Sequence, residues 1–196
     1  LEFRRVLFRS RYGITGQEPA VLGNRILCCV HPDNSNGLGI CLEVEGDQVK
    51  EVWRDKLLDN YSCNYIVWKG HVFGIQHNDT TSRIGPLYCF DVATGKKKWE
   101  IPLVDRANSA GMLATGGGLL FTGDVNGKFI ALDEDTGQTL WSFQTSSGIN
   151  ATAVTYTHKG KQYVSIASGL GGNSARGMAR GNVPLGGTMW TFAVME

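Results

Sequence analysis

The side chains of this sequence that could do chemistry are few and scattered. Four histidines stand at His31, His71, His77 and His158, without the HExxH spacing that places two imidazoles on one helix face toward a metal. The five cysteines, Cys28, Cys29, Cys41, Cys63 and Cys89, contain no CxxC pair and so match no zinc pattern. Cys28 and Cys29 are adjacent inside an apolar run, RILCCV, and read as two small residues facing opposite sides of a strand. Asp124 and Asp133 are carboxylates of the kind that serve as a base or a calcium ligand, but their places in a repeat give them turn and cap roles. Asn60, Asn78 and Asn150 each begin a glycosylation sequon. No GxSxG elbow is present. The stretch Gly169-Leu170-Gly171-Gly172 has a different potential: without side chains, a backbone can approach a flat cofactor closely. The other reading of these glycines is an ordinary loop. A dinucleotide fingerprint fails, because its third glycine is Ser174 and no βαβ pattern surrounds it.

What must position these residues is a repeat. Cys89–Trp99 (CFDVATGKKKW) and Ala131–Trp141 (ALDEDTGQTLW) share the pattern x-x-Asp-x-x-Thr-Gly-x-x-x-Trp, and their tryptophans are 42 residues apart. That period is the size of a four-stranded propeller blade. A weaker copy, CLEVEGDQVKEVW, ends on Trp53, with Gly46-Asp47 in place of Thr-Gly. Each copy reads as a hairpin: a strand, a turn in which Asp caps local N–H groups and Gly accepts positive φ, and a second strand carrying Trp. A large aromatic at a fixed place in every blade can pack between neighbouring blades.

Two strands precede each hairpin: 20–22 with 25–30, 66–68 with 72–75, and 112–114 with 119–122. A fourth set, 153–157, 163–167 and 188–194, has three strands. The expectation is an all-β chain forming a partial β-propeller of about three and three-quarter four-stranded blades. The blades fall at about 17–58, 59–104, 105–147 and, incomplete, 148–196. Propellers remove their open sheet edge by closing the ring, so a three-stranded last blade reads as a piece of a larger ring.

Composition agrees with a globular β protein: 42% hydrophobic, 19% charged, 26 glycines and 5 prolines. A net charge of +1 gives no reason to expect a nucleic acid partner. No apolar run approaches the roughly 20 residues that span a bilayer. Residues 1–10, LEFRRVLFRS, carry three arginines without turn or cap logic and lack the apolar stretch of a secretory signal; they read as a non-native extension.

From Gly111 to Gly172 the sequence GMLATGGGLLFTGDVNGKFIALDEDTGQTLWSFQTSSGINATAVTYTHKGKQYVSIASGLGG, followed by GGTMWTFAV at 186–194, resembles the C-terminal region of pyrroloquinoline quinone (PQQ) dependent methanol and ethanol dehydrogenases. The resemblance implies an eight-bladed quinoprotein propeller holding PQQ and a calcium ion (Ca2+) near its axis. It also implies periplasmic oxidation of an alcohol to an aldehyde, with the quinone as hydride acceptor, an aspartate base, and an electron acceptor such as a cytochrome c. The catalytic aspartate and calcium ligands of that family have no match here. Gly171 and Gly172 correspond to a Gly-Gly stretch near the family's funnel floor and are the implied cofactor contacts, although methanol-type members have Trp where this chain has Asn173. Residues 17–104 are similar to PQQ-like repeat propellers more broadly, including non-catalytic protein-interaction scaffolds. The two halves thus come from one gene with divergent blades, or were joined near 103–109.

Overall fold

The computed structural model describes residues 18–30, 37–59, 64–76, 85–102, 110–170, 183–184 and 186–193. The chain divides into two compact units, residues 1–82 with 86–100 and residues 83–85 with 101–196. Among the described residues, each unit carries two sheets of consecutive strands, and the fold is all-β with one 3-10 turn at Lys56–Leu58.

In the first unit, β1 (Ala20–Leu22), β2 (Arg25–Val30), β3 (Leu38–Glu45) and β4 (Gln48–Asp55) pair in chain order. A second sheet is formed likewise by β5 (Ile66–Trp68), β6 (His71–Ile75), β7 (Pro86–Asp91) and β8 (Lys97–Pro102). Meander order with tight connections is the topology of a propeller blade. The two sheets share one core, in which Leu27, Cys29 and Cys41 pack with Tyr65, Val72, Tyr88, Phe90 and Val92.

The repeat explains how the sheets are joined. Asp91 Oδ1 accepts from the Thr94 backbone N–H at 2.7 Å and from its hydroxyl at 2.6 Å, while Gly95 takes φ +69° to close the turn. The turn directs the carbonyl of Val92 toward the neighbouring sheet. That oxygen accepts from Trp53 Nε1 at 2.9 Å and from Arg25 Nη1 at 2.6 Å. The Trp53 ring lies against Gly95 so closely that a Cβ there would meet Trp53 Cγ at 2.6 Å. Aspartate, threonine, glycine and tryptophan thus make one joint, with the tryptophan supplied by the adjacent sheet.

In the second unit, β9 (Leu113–Ala114), β10 (Leu119–Gly123), β11 (Lys128–Asp133) and β12 (Thr139–Gln144) form one sheet. β13 (Val154–His158), β14 (Lys161–Leu170) and β15 (Gly186–Ala193) form another, and no fourth strand pairs with β15 among the described residues. The Asp133 turn repeats the Asp91 turn: Asp133 Oδ1 accepts from Thr136 N and Oγ1, both at 2.8 Å, and Gly137 has φ +74°. Trp141 packs between sheets, its ring centroid 6.0 Å from Phe129 and 5.0 Å from Phe192.

The repeat also accounts for cysteines. Cys41 pairs with Trp53 and Ala131 with Trp141, and in both sheets the register shifts by a bulge immediately after that residue. On their other sides, Cys41 opposes Leu27, Cys89 opposes Phe73 and Ala131 opposes Phe121. Cys41 and Cys89 therefore occupy the small-residue position of the repeat. Burial pushes the Cys41 thiol up to about 11, the opposite of an activated thiolate. Cys28 and Cys29 face opposite sides of β2, Cys29 in the core shared by both sheets and Cys28 against Ile40, and neither is in a disulfide.

Candidate functional site

The carboxylates singled out by sequence are occupied with backbone. Besides the Asp133 cap, Asp124 Oδ1 accepts from Asn126 N at 3.0 Å and Lys128 N at 2.8 Å, closing the β10–β11 turn. Burial raises the Asp124 pKa against the lowering pull of these N–H groups. It borders a cavity of about 110 Å³ with Lys128 and Thr139. Among the described residues, no group of three or more His, Cys, Asp or Glu side chains is placed to hold a metal ion. His71 and His158 lie at strand ends, and His31, His77 and Cys63 fall outside the described residues.

The first two residues of the predicted glycine turn are strand. Gly169 and Leu170 continue β14, pairing with Gly187 and Gly186 of β15. Gly169 must be glycine because β15 crowds it: a Cβ there would stand 2.5 Å from the Gly186 carbonyl oxygen. Gly171 and Gly172, the residues matched to a cofactor contact, lie just outside the described residues, as does Asn173.

Where β14 runs out toward Gly171, the structure opens a groove of about 530 Å³. Its walls are Asn150 and Ala151, Ala167–Gly169 of β14, and Gly187–Met189 of β15. The volume falls within the range of small-molecule sites. Four of the eight lining residues are glycine or alanine, which present backbone and Cβ, and the other four are Asn150, Ser168, Thr188 and Met189. The segment carrying Asn150 is fixed from both sides. Ile149 N donates to Asp124 O at 2.8 Å, and Gly169 N donates to Gly148 O at 2.8 Å. Gly148 is forced, since a Cβ there would meet Val125 O at 2.3 Å. Ser147 adds a clamp, its hydroxyl donating to Pro184 O at 2.6 Å and accepting from Leu170 N at 3.1 Å. Ser168 is buried, and its Oγ accepts from Trp190 Nε1 at 3.0 Å, which ties the groove wall to the aromatic core beneath.

Asn150 Oδ1 is shielded from solvent and accepts no hydrogen bond. Sequence reasoning marked Asn150 only as a sequon and missed the groove. The missing signal is tertiary, because three segments distant in sequence converge there.

Similarity to known proteins agrees with this geometry. Residues 101–164 match the β-propeller domain of glucose, ethanol and alcohol dehydrogenases, designated PQQ. Over 161 residues the chain is 40% identical to the quinoprotein alcohol dehydrogenase PedE of Pseudomonas putida, covering 77% of this chain and 24% of that protein. Over most of its length this chain is thus similar to quinoprotein alcohol dehydrogenases, and its fold is that of their β-propellers. A match of that length extends beyond residues 105–196 into the first half, which supports one gene for both halves. Over 89 residues it is 44% identical to methanol dehydrogenase [cytochrome c] subunit 1 of Methylobacterium organophilum, covering 45% of this chain and 14% of that subunit. The fold corresponds to that of the quinohemoprotein alcohol dehydrogenase from Comamonas testosteroni, with TM-score 0.61 at 18% identity over 86% of this chain and 37% of that one. The chain spans about a quarter or less of the length of these two curated relatives.

Proposed function

We propose that this chain is a blade segment of a PQQ-dependent alcohol dehydrogenase, that its groove at the end of β14 forms part of the cofactor floor, and that Gly171 and Gly172 contact the cofactor. The four sheets are then four successive blades. The observation that carries the reading is the 40% identity to a quinoprotein alcohol dehydrogenase over most of this chain, joined to a groove of cofactor size at the end of β14. Gly169, Gly187, Ala151 and Ala167 offer a flat group backbone and Cβ, while no lining residue is a cation, so partners for the carboxylates of PQQ would come from elsewhere in the whole protein. Bound PQQ would supply the two-electron acceptor for oxidation of an alcohol to an aldehyde. This chain's own contribution is positional. The paired hydrogen bonds at Gly148 and Ile149 hold the floor rigid, and a preorganised wall keeps a bound group from shifting during reaction.

A calcium ion is proposed for the whole protein, with no ligand assigned among the described residues. The compartment we propose is the periplasm, and the electron acceptor a cytochrome c, following the name of the methanol dehydrogenase relative. The test is dye-linked oxidation of primary alcohols by the full-length protein carrying this segment, with PQQ and Ca2+ added. Turnover that requires both PQQ and alcohol is expected, and this chain alone is expected to give none. A PQQ-loaded full-length protein that oxidises no alcohol would refute the proposal.

A further inference from the structure

We propose that Asn126 is a site of spontaneous covalent modification, where Gly127 N closes on the Asn126 side chain and expels ammonia, and that the β10–β11 turn acts as a latch on this reaction. The sequence holds two Asn-Gly pairs, Asn36-Gly37 and Asn126-Gly127. Asparagine is thermolabile, and a following glycine makes it more so, because no Cβ shields the glycine nitrogen or limits its rotation. The Gly127 nitrogen gives up its proton and attacks Asn126 Cγ. The Cγ–Nδ2 bond breaks, that nitrogen leaves as ammonia with the proton, and a cyclic succinimide remains. Water then opens the ring at either carbonyl, giving aspartate or isoaspartate.

The turn supplies both the reactive pair and its restraint. Asn126 is half-buried, and its side-chain amide has no hydrogen-bond partner among the described residues. Attack requires rotation of the peptide plane between Asn126 and Gly127, and that plane is held at both ends. Its carbonyl accepts from Gln144 Nε2 at 2.8 Å, and its N–H donates to Asp124 O at 3.1 Å. Packing demands the glycine: Gly127 has φ +86°, and a Cβ there would stand 2.4 Å from Ser147 O. The residue that fits the turn is therefore the residue that exposes Asn126 to attack.

The products act beyond the turn. Isoaspartate lengthens the main chain by one carbon, and either product adds a carboxylate close to Asp124. The same turn anchors the following segment, through Thr145 N to Gly127 O and Ile149 N to Asp124 O, both at 2.8 Å. Conversion at Asn126 therefore loosens the segment carrying Asn150 and Ala151, one wall of the groove. This holds whatever the groove binds.

The full-length protein carrying this segment is incubated at pH 8, folded and in urea. The peptide containing Asn126 is followed by mass mapping and isoaspartyl methyltransferase labelling. Aspartate and isoaspartate should accumulate at this position in the folded protein, more slowly than in urea. Gln144 is exposed, so truncating it spares the core. Gln144→Ala should speed conversion in the folded protein about five-fold, the weight of one hydrogen bond, and leave the rate in urea unchanged. Asn126→Ser should abolish conversion at this position. Folded protein still unmodified once the urea sample has fully converted would overturn the site. An unchanged folded-state rate in Gln144→Ala would overturn the latch. Amide exchange at 148–151 that is the same before and after conversion would overturn the link to the groove.

Discussion

Gly95→Ala tests the physical meaning of the repeat. Two penalties act at this position. Gly95 has φ +69°, a left-handed conformation that costs a residue with a Cβ about 1–2 kcal/mol. The new Cβ would also stand 2.6–3.1 Å from Trp53 Cγ, Cδ2 and Cβ, and overpacking of this kind costs about 1–3 kcal/mol. The expected loss is therefore about 2–5 kcal/mol, summing the two. Gly46 supplies the control, since it has φ +60° and nothing within 4 Å of its virtual Cβ. Gly46→Ala should lose only the conformational part, about 1–2 kcal/mol. Urea unfolding of this unit can be followed by 19F NMR of fluorotyrosine at the buried Tyr65 and Tyr88, with stability taken from midpoints at constant slope. In a Trp53→Ala background the excess cost of Gly95→Ala should fall to within about 0.5 kcal/mol of the control. If both glycines cost the same with Trp53 present, or if the excess survives its removal, the tryptophan is not what selects glycine and the proposed joint is wrong.

Other predictions follow from particular residues. Thr94 holds the Asp91 carboxyl below its ordinary 3.8, so this group stabilises the fold above that pH and the stabilisation fades as pH falls through the lowered value. Burial raises Asp124 above 3.8, which has the opposite sign: stability declines as pH rises from about that value through the raised one. Carboxyl 13C titration of the two residues should show midpoints on opposite sides of 3.8, and matching midpoints would contradict both assignments. Lys159 sits at φ +49° in the β13–β14 turn, so Lys159→Asn should stabilise by about 0.5–1 kcal/mol in urea melts. Val154 and Tyr156 are 56% and 46% exposed on the last sheet, and β15 carries no charge to deter strand pairing. Val154→Lys should therefore lower self-association in sedimentation without lowering the melting temperature. Cys29, Cys41 and Cys89 are buried and should resist iodoacetamide at pH 8 in the native state, as peptide mass mapping would reveal.

Much of the fold was legible because turn chemistry is local. Asp91, Thr94 and Gly95 need only one another to make their turn, and the spacing to Trp99 repeats at Trp141. The two-residue turns at Lys69-Gly70 and Lys159-Gly160 likewise follow from glycine's tolerance of positive φ. The ends of β14 and β15 were less legible. Gly169, Gly186 and Gly187 signal a loop by composition, yet they form ladder pairs because the facing strand leaves no room for a Cβ at Gly169. The capping roles of Asp124 and Asp133 were readable from their repeat positions. The groove was not, since it comes from the convergence of β14, β15 and the segment after Thr145, and no spacing in the sequence encodes that meeting.

The most direct measurement of the central claim is amide hydrogen exchange, with and without PQQ, of the full-length protein carrying this segment. Protection concentrated at residues 149–151, 167–169 and 187–189 is the predicted result, because these segments line the groove. PQQ-induced protection confined to other sheets, or no change at these segments under saturating PQQ, would contradict the assignment of this groove to the cofactor.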